Sequence, residues 1–127
     1  MKRLPVNLYR HNNRVIVTAP SPGLEPADMR IEVRGRRLSM EHGARGPGQD
    51  RVEYVRREWR TGPARRSVVL PAPVDALRAN ATYDNGVLTV ILPVAPKATP
   101  GVIEMPKVGT AKGRGVRHVG RELRAAS

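Results

Sequence analysis

Catalysis needs a nucleophile with a base, a metal shell, or paired carboxylates in a cleft. The sequence presents none of these in usable form. Its three histidines, His11, His42 and His118, fall in a predicted turn, at a strand end and in a polar tail. None has a histidine or acidic partner at ligand spacing on a shared element. Cysteine is absent, which removes thiolate chemistry and disulfides and makes a reducing, cytoplasmic compartment the natural expectation. The chain holds 12 glycines, yet no Gly-x-x-x-x-Gly-Lys-Ser/Thr loop that would cradle a nucleotide. No apolar run approaches the roughly 20 residues of a membrane span, and the N-terminus has no secretory apolar region. The expectation is a protein that is not an enzyme, takes no cofactor, metal or membrane, and works through its surfaces without ATP.

Contact chemistry is better represented. Ile103 and Met105 share parity in an extended segment, so both side chains can enter one groove. Each is worth about 1.5–3 kcal/mol when buried, against association costs of about 4–15 kcal/mol. One such anchor binds weakly and reversibly, and several on one assembly add through effective concentration. The patch could instead fold back on its own domain or stay solvated. Tyr54 and Trp59 interrupt the charged run Val52–Arg60. They fit a contact patch or a small core beneath a loop equally well. Lys112, Arg114, Arg117, Arg121 and Arg124 could neutralise phosphates. That tail has no aromatic for base stacking, and the chain has no recognisable nucleic-acid motif. A solubilising tail is the favoured reading and nucleic acid the weaker one. The net charge of +12 is spread along the chain, not gathered in one block.

The elements that must position these groups read as strands. Phe is absent and aromatics make up 3% of the chain, so Val, Leu and Ile must fill the core, and Val favours strands. Pro and Gly, 12 each, punctuate short runs at intervals suited to an all-β sandwich. Predicted strands cover Val6–Tyr9, Arg14–Ala19, Asp28–Val33, Arg37–Glu41, Val52–Arg60 and Arg65–Leu70, with a short helical turn over Val74–Arg78. Two further strands flank Asp84-Asn85-Gly86, where Asn-Gly supplies the positive φ of a tight turn. In the second of these, Leu88, Val90 and Leu92 share one face and Val87, Thr89 and Ile91 the other. Both faces are largely apolar, so cover on both sides is expected. Met1–Pro5 is too short to form an element. Residues 1–5 are thus an arm and 6–94 the domain, with a loop at about 43–63. Residues 95–127 are a disordered extension with an apolar patch at 102–106 and a basic tail.

The segment Ala81-x-x-x-Asn85-Gly86-Val87-Leu88-Thr89-Val90 resembles the signature of the small heat-shock protein (alpha-crystallin) family. Pro22-Gly23, Asp28–Val33, Leu38-Ser39-Met40, Arg57-Glu58, Gly62 and Arg66–Pro71 follow in that family's order and spacing. Ile103-Glu104-Met105 resembles its short C-terminal anchor. The resemblance implies an immunoglobulin-like antiparallel β-sandwich and an ATP-independent holdase that binds partly unfolded proteins under stress. It also implies a homodimer of the bacterial or plant type, with small higher oligomers. In such a dimer the loop strand, here Glu53, Tyr54, Val55, Glu58 and Trp59, adds to the partner's first sheet edge, here Val6 and Leu8. Arg66 matches the family's arginine at the dimer region, with Glu53 or Glu58 as its candidate carboxylate. The anchor's groove would lie between Met29, Ile31 and Val33 and the strand of Ala81 and Tyr83 in a neighbouring subunit. The chain departs from the family pattern in Ala64, where an aromatic is usual, in Pro20-Ser21 before Pro22-Gly23, and in Met105 as the last anchor residue. About five residues precede the first predicted strand, where a long apolar arm is usual. That shortness raises a rival reading, a co-chaperone-like binding module. The loop strand and tail anchor, which such modules lack, weigh against it.

Overall fold

Alternation of apolar and polar residues sets the architecture. The computed structural model describes residues 2–43, 53–58 and 62–105. It contains nine strands: β1 (Lys2–Arg3), β2 (Asn7–His11), β3 (Arg14–Pro20), β4 (Arg30–Arg34), β5 (Arg37–His42), β6 (Ala64–Val69), β7 (Asn80–Asp84), β8 (Val87–Pro93) and β9 (Gly101–Ile103). Short 3₁₀ turns lie at Pro26–Asp28 and Ala76–Arg78. The first replaces the predicted strand start at Asp28: Pro26 fixes φ at the head of the turn, and β4 begins at Arg30.

The strands form two sheets, in the order β1-β6-β5-β4-β9 and β2-β3-β8-β7. All pairings are antiparallel except β1 with β6. The fold is the all-β immunoglobulin-like sandwich that the strand pattern predicts. Val15, Val17 and Ala19 of β3 and Leu88, Val90 and Leu92 of β8 face Ile31, Val33, Leu38 and Met40 of the other sheet, all buried in one cluster. The core is aliphatic and sulfur-containing, and among the described residues Tyr83 is the aromatic ring packed against it, at the margin.

Three expectations change. The second face of β8 is not covered: Val87 is 41% exposed, and Thr89 and Ile91 are only half-buried. That face is the outer side of an antiparallel sheet, where one wetted surface is normal. Cross-strand neighbours shield it in part, since Ile91 pairs with Ile16, which pairs with Tyr9. Lys2–Arg3 is an element after all, because it pairs in parallel with β6 and Leu4 behind it is 3% exposed. Finally, Glu53–Glu58 carries no strand. Its charged residues offer no apolar face to its own sandwich, and a strand without a ladder partner has nothing to hold it extended.

The hairpins turn on residues with positive φ: Asn12 and Asn13 between β2 and β3, Gly35 between β4 and β5, and Asn85 and Gly86 between β7 and β8. Gly86 has φ +80°, and an added Cβ there would meet Pro22 at ordinary contact distance, 3.6 Å. Its requirement is therefore conformational, not steric. Gly86→Ala should lower the unfolding free energy by about 1–2 kcal/mol, read as a lower urea midpoint at unchanged slope. Asn85→Gly, where φ is already positive, should shift it far less.

Candidate interaction surfaces

The tail beyond β8 is tied down residue by residue. Pro93 O accepts from Asp75 N at 3.0 Å, Ala95 N donates to Pro73 O, Thr99 N to Val74 O, and Ala76 N to Thr99 O, the last three also at 3.0 Å. This strap delivers Gly101–Ile103 to the free side of β4, with Ile31 opposite Ile103 and Val33 opposite Gly101. An added Cβ at Gly101 would stand 3.3 Å from Ala76 Cβ, so glycine lets the backbone pass close to the 3₁₀ turn. Val102 points outward. Ile103 and Met105 are 8% and 9% exposed, in the cluster that holds Met29, Ile31 and Val33. Ala81 and Tyr83 pack half-buried against the same cluster. The groove residues therefore come together, but the anchor expected on a neighbour is seated on its own chain. The sequence shows the anchor's parity and not its destination, which the strap at residues 73–76 decides.

Tyr83 closes the far side. Its hydroxyl donates to Ser21 O at 2.6 Å. Burial raises its pKa above the usual 10.0; the nearby Glu25 carboxylate adds to this and a hydrogen bond from the Leu24 backbone opposes it. Ser21 N in turn donates to Gly86 O at 2.7 Å. The signature turn Asn85-Gly86 thus holds the Pro20–Ser21 bend against the groove wall and does not line a site itself.

A second surface is the edge of β2. It pairs with β3 on one side only, and all five of its residues are exposed. Val6 packs half-buried at its start and Leu8 is exposed. The loop residues expected to meet such an edge are presented to solvent. Val55 is 105% exposed, Arg57 stacks over the Tyr54 ring at 4.8 Å, and Arg56 pairs with Glu58 at 3.5 Å. Exposed pairs of this kind contribute little to stability. Trp59 and the basic tail lie outside the described residues.

Within its own chain, and among the described residues, Arg66 meets a main-chain carbonyl. Its Nη1 donates to Leu4 O at 3.3 Å, and Glu58 is engaged by Arg56. The expected carboxylate, Glu53 or Glu58, would come from the swapped strand of a partner subunit, while within the chain β1 occupies the β6 edge. Two further bonds hold that segment: Lys2 N to Pro63 O at 2.9 Å and Leu4 N to Arg65 O at 3.1 Å. Three hydrogen bonds at about 1 kcal/mol net each and about 1.5–3 kcal/mol from burying Leu4 oppose about 1–2 kcal/mol per ordered residue. The balance is close to even. Sequence reading missed this contact, and Leu4 directly after the basic pair Lys2-Arg3 was its only signal. It also missed Arg36, whose Nε and Nη2 both donate to Leu70 O at 3.2 and 2.9 Å and fix the end of β6.

The outer face of β4–β6 holds a shallow depression lined by Arg30, Glu32, Ser39, Glu41, Arg65, Arg66 and Ser67. Its charges alternate across the ladder, with Arg30 opposite Glu41 and Glu41 opposite Arg65, an arrangement of structural pairs without a nucleophile and base. Among the described residues no three His, Asp or Glu side chains are grouped to hold a metal ion. No helix among them is long and apolar enough to cross a membrane.

Among the described residues, a sandwich capped lightly at two edges by β1 and β9 and uncapped at the other two, β2 and β7, defines a β-protein built for edge and groove contacts. The sequence profile of the Hsp20/alpha crystallin family matches residues 7–107. The 19.0 kDa class II heat shock protein of Oryza sativa subsp. japonica is 32% identical, over 88% of this chain and 70% of its own length. The 18 kDa heat shock protein of Streptomyces albus G is 31% identical, over 75% of this chain and 67% of its own. The chain spans about two thirds of the length of the curated relatives it matches. Among solved structures, hspA from Xanthomonas axonopodis superposes with a TM-score of 0.68 at 26% identity, covering 77% of this chain and 99% of that one. The chain belongs to the Hsp20/alpha crystallin family of small heat-shock proteins, a family of chaperones and not of enzymes.

Burial favours the protonated Tyr83 phenol, so the folded state keeps a proton that the unfolded chain gives up near pH 10. Stability should therefore fall as pH rises above about 10, followed by urea unfolding from pH 8 to 11. Tyr83→Phe should flatten that fall and lose about 1 kcal/mol at neutral pH with the hydrogen bond to Ser21.

Proposed function

We propose that this protein is an ATP-independent holdase of the cytoplasm that binds extended apolar segments of partly unfolded proteins and keeps them from aggregating. The observation that carries this reading is the groove at β4, β7 and the Ala76–Arg78 turn. It is lined by Met29, Ile31, Val33, Ala81 and Tyr83 and fits an extended Ile-x-Met segment by ladder hydrogen bonds and two side chains. Recognition of that kind reads parity and apolar character, not sequence, and so suits many clients. The building block is a homodimer in which the loop around Glu53–Trp59 adds to the β2 edge of the partner. Exposure of Val55 and of the whole of β2 supports it, since an unpaired edge invites another strand. The basic tail keeps client complexes dispersed through charge repulsion.

Heat-induced light scattering of citrate synthase should fall when this protein is in excess and no nucleotide is added. Unchanged scattering would end the holdase reading. Changing Ile103 and Met105 to Ser should empty the groove and reduce species larger than the dimer in native mass spectrometry. Identical assemblies in the parent and the double variant would remove the anchor from any part in association.

A further inference from the structure

We propose that the β6 edge is a second binding site for extended apolar segments of unfolding proteins, held shut in the resting chain by β1 acting as a built-in stand-in for the ligand. The inference rests on the holdase reading and names a site for it separate from the β4 groove, at the opposite edge of the same sheet.

What β1 uses to bind is almost free of sequence. Its main chain is held by Lys2 N to Pro63 O and Leu4 N to Arg65 O. The Leu4 carbonyl receives the Arg66 guanidinium. Lys2 and Arg3 are exposed, and Leu4 alone is buried, in the cluster that contains Ala64. Ala64 is small and buried, which keeps that end of β6 open to a leucine-sized side chain. An incoming strand therefore needs an extended backbone and one aliphatic side chain at the right register, while its other side chains, like Lys2 and Arg3, stay in solvent. Stretches of unfolded core sequence meet both.

The stand-in is also built to leave. β6 is paired with β5 at six positions, from Ala64 to Val69, so losing β1 costs the sheet nothing on its other side. The next residue, Pro5, is exposed and has no amide to donate, so the hold ends at Leu4. Departure of β1 uncovers the Pro63 and Arg65 carbonyls, the Arg66 guanidinium and the Leu4 slot together. Arg66 is then a positioning residue that fixes the incoming strand by its carbonyl.

The chain has no cysteine, so a lock can be introduced cleanly. Arg3 and Arg65 are direct ladder partners, and neighbouring strands lie about 4.8 Å apart, within disulfide reach. In the R3C/R65C protein, oxidation should pin β1 in place. Probed with heat-unfolding citrate synthase, the oxidised form should hold roughly threefold less client than the same protein reduced, because the open state is withdrawn. Hydrogen exchange should show Ala64–Ser67 protected by client only in the reduced form. Leu4→Gly in the otherwise unaltered chain should move capture the opposite way, upward. Equal capture and unchanged β6 exchange in the two redox forms would overturn the proposal while leaving the holdase reading in place. Unchanged capture by Leu4→Gly would also overturn it. If neither redox form nor the parent holds client, the holdase reading fails and this site with it.

Discussion

An unpaired β-edge is a row of amides and carbonyls that must find partners in water, in the chain itself, or in another chain. The organisation of this protein follows from how that requirement is met at each rim of its two sheets. In the five-stranded sheet both rims are capped by short pieces of the same chain, β1 and β9, neither longer than three residues. In the four-stranded sheet the β2 rim has no such cap among the described residues. Caps this short gain little from the ladder and rely on one or two buried side chains, Leu4 on one rim and Ile103 with Met105 on the other. A protein that holds other chains by their backbones benefits from edges that are protected without being permanently sealed.

The sandwich beneath those rims is ordinary in its energetics. Buried aliphatic side chains from both sheets interdigitate, and turn residues with positive φ fix the register of three hairpins. Rigidity belongs to the ladder of β3 with β8, which pairs at seven positions. Adaptability belongs to the straps laid over it. The strap from Ala95 to Thr99 shows the division: Ala95 and Thr99 bond to Pro73, Val74 and Ala76, a bend already fixed by burial of Val74 and Ala76.

Most of this fold could be read from residue order. Period-two alternation marked β3, β4, β5 and β8 to within a residue or two, because each has one apolar face to bury and a slipped register would expose it. Asn85-Gly86 marked its turn because few other residues accept that backbone. The groove residues were legible as the inward faces of strands. What could not be read depends on three-dimensional proximity alone. A two-residue strand has no period, so β1 was invisible. The Arg66 guanidinium could reach several acceptors, and only the path of Lys2–Leu4 selects one. The apolar parity of Ile103 and Met105 suits any groove of the right width, and nothing local states whose groove it is. The loop strand was inferred from composition, and Glu53–Glu58 lacks a ladder because composition supplies propensity but no partner.

The aliphatic core has an optical corollary. The chain has no phenylalanine, and among the described residues the ring that meets the buried cluster is the phenol of Tyr83. Among the described residues Tyr83, wedged at the margin of the interior, is the chromophore whose absorbance follows the core itself.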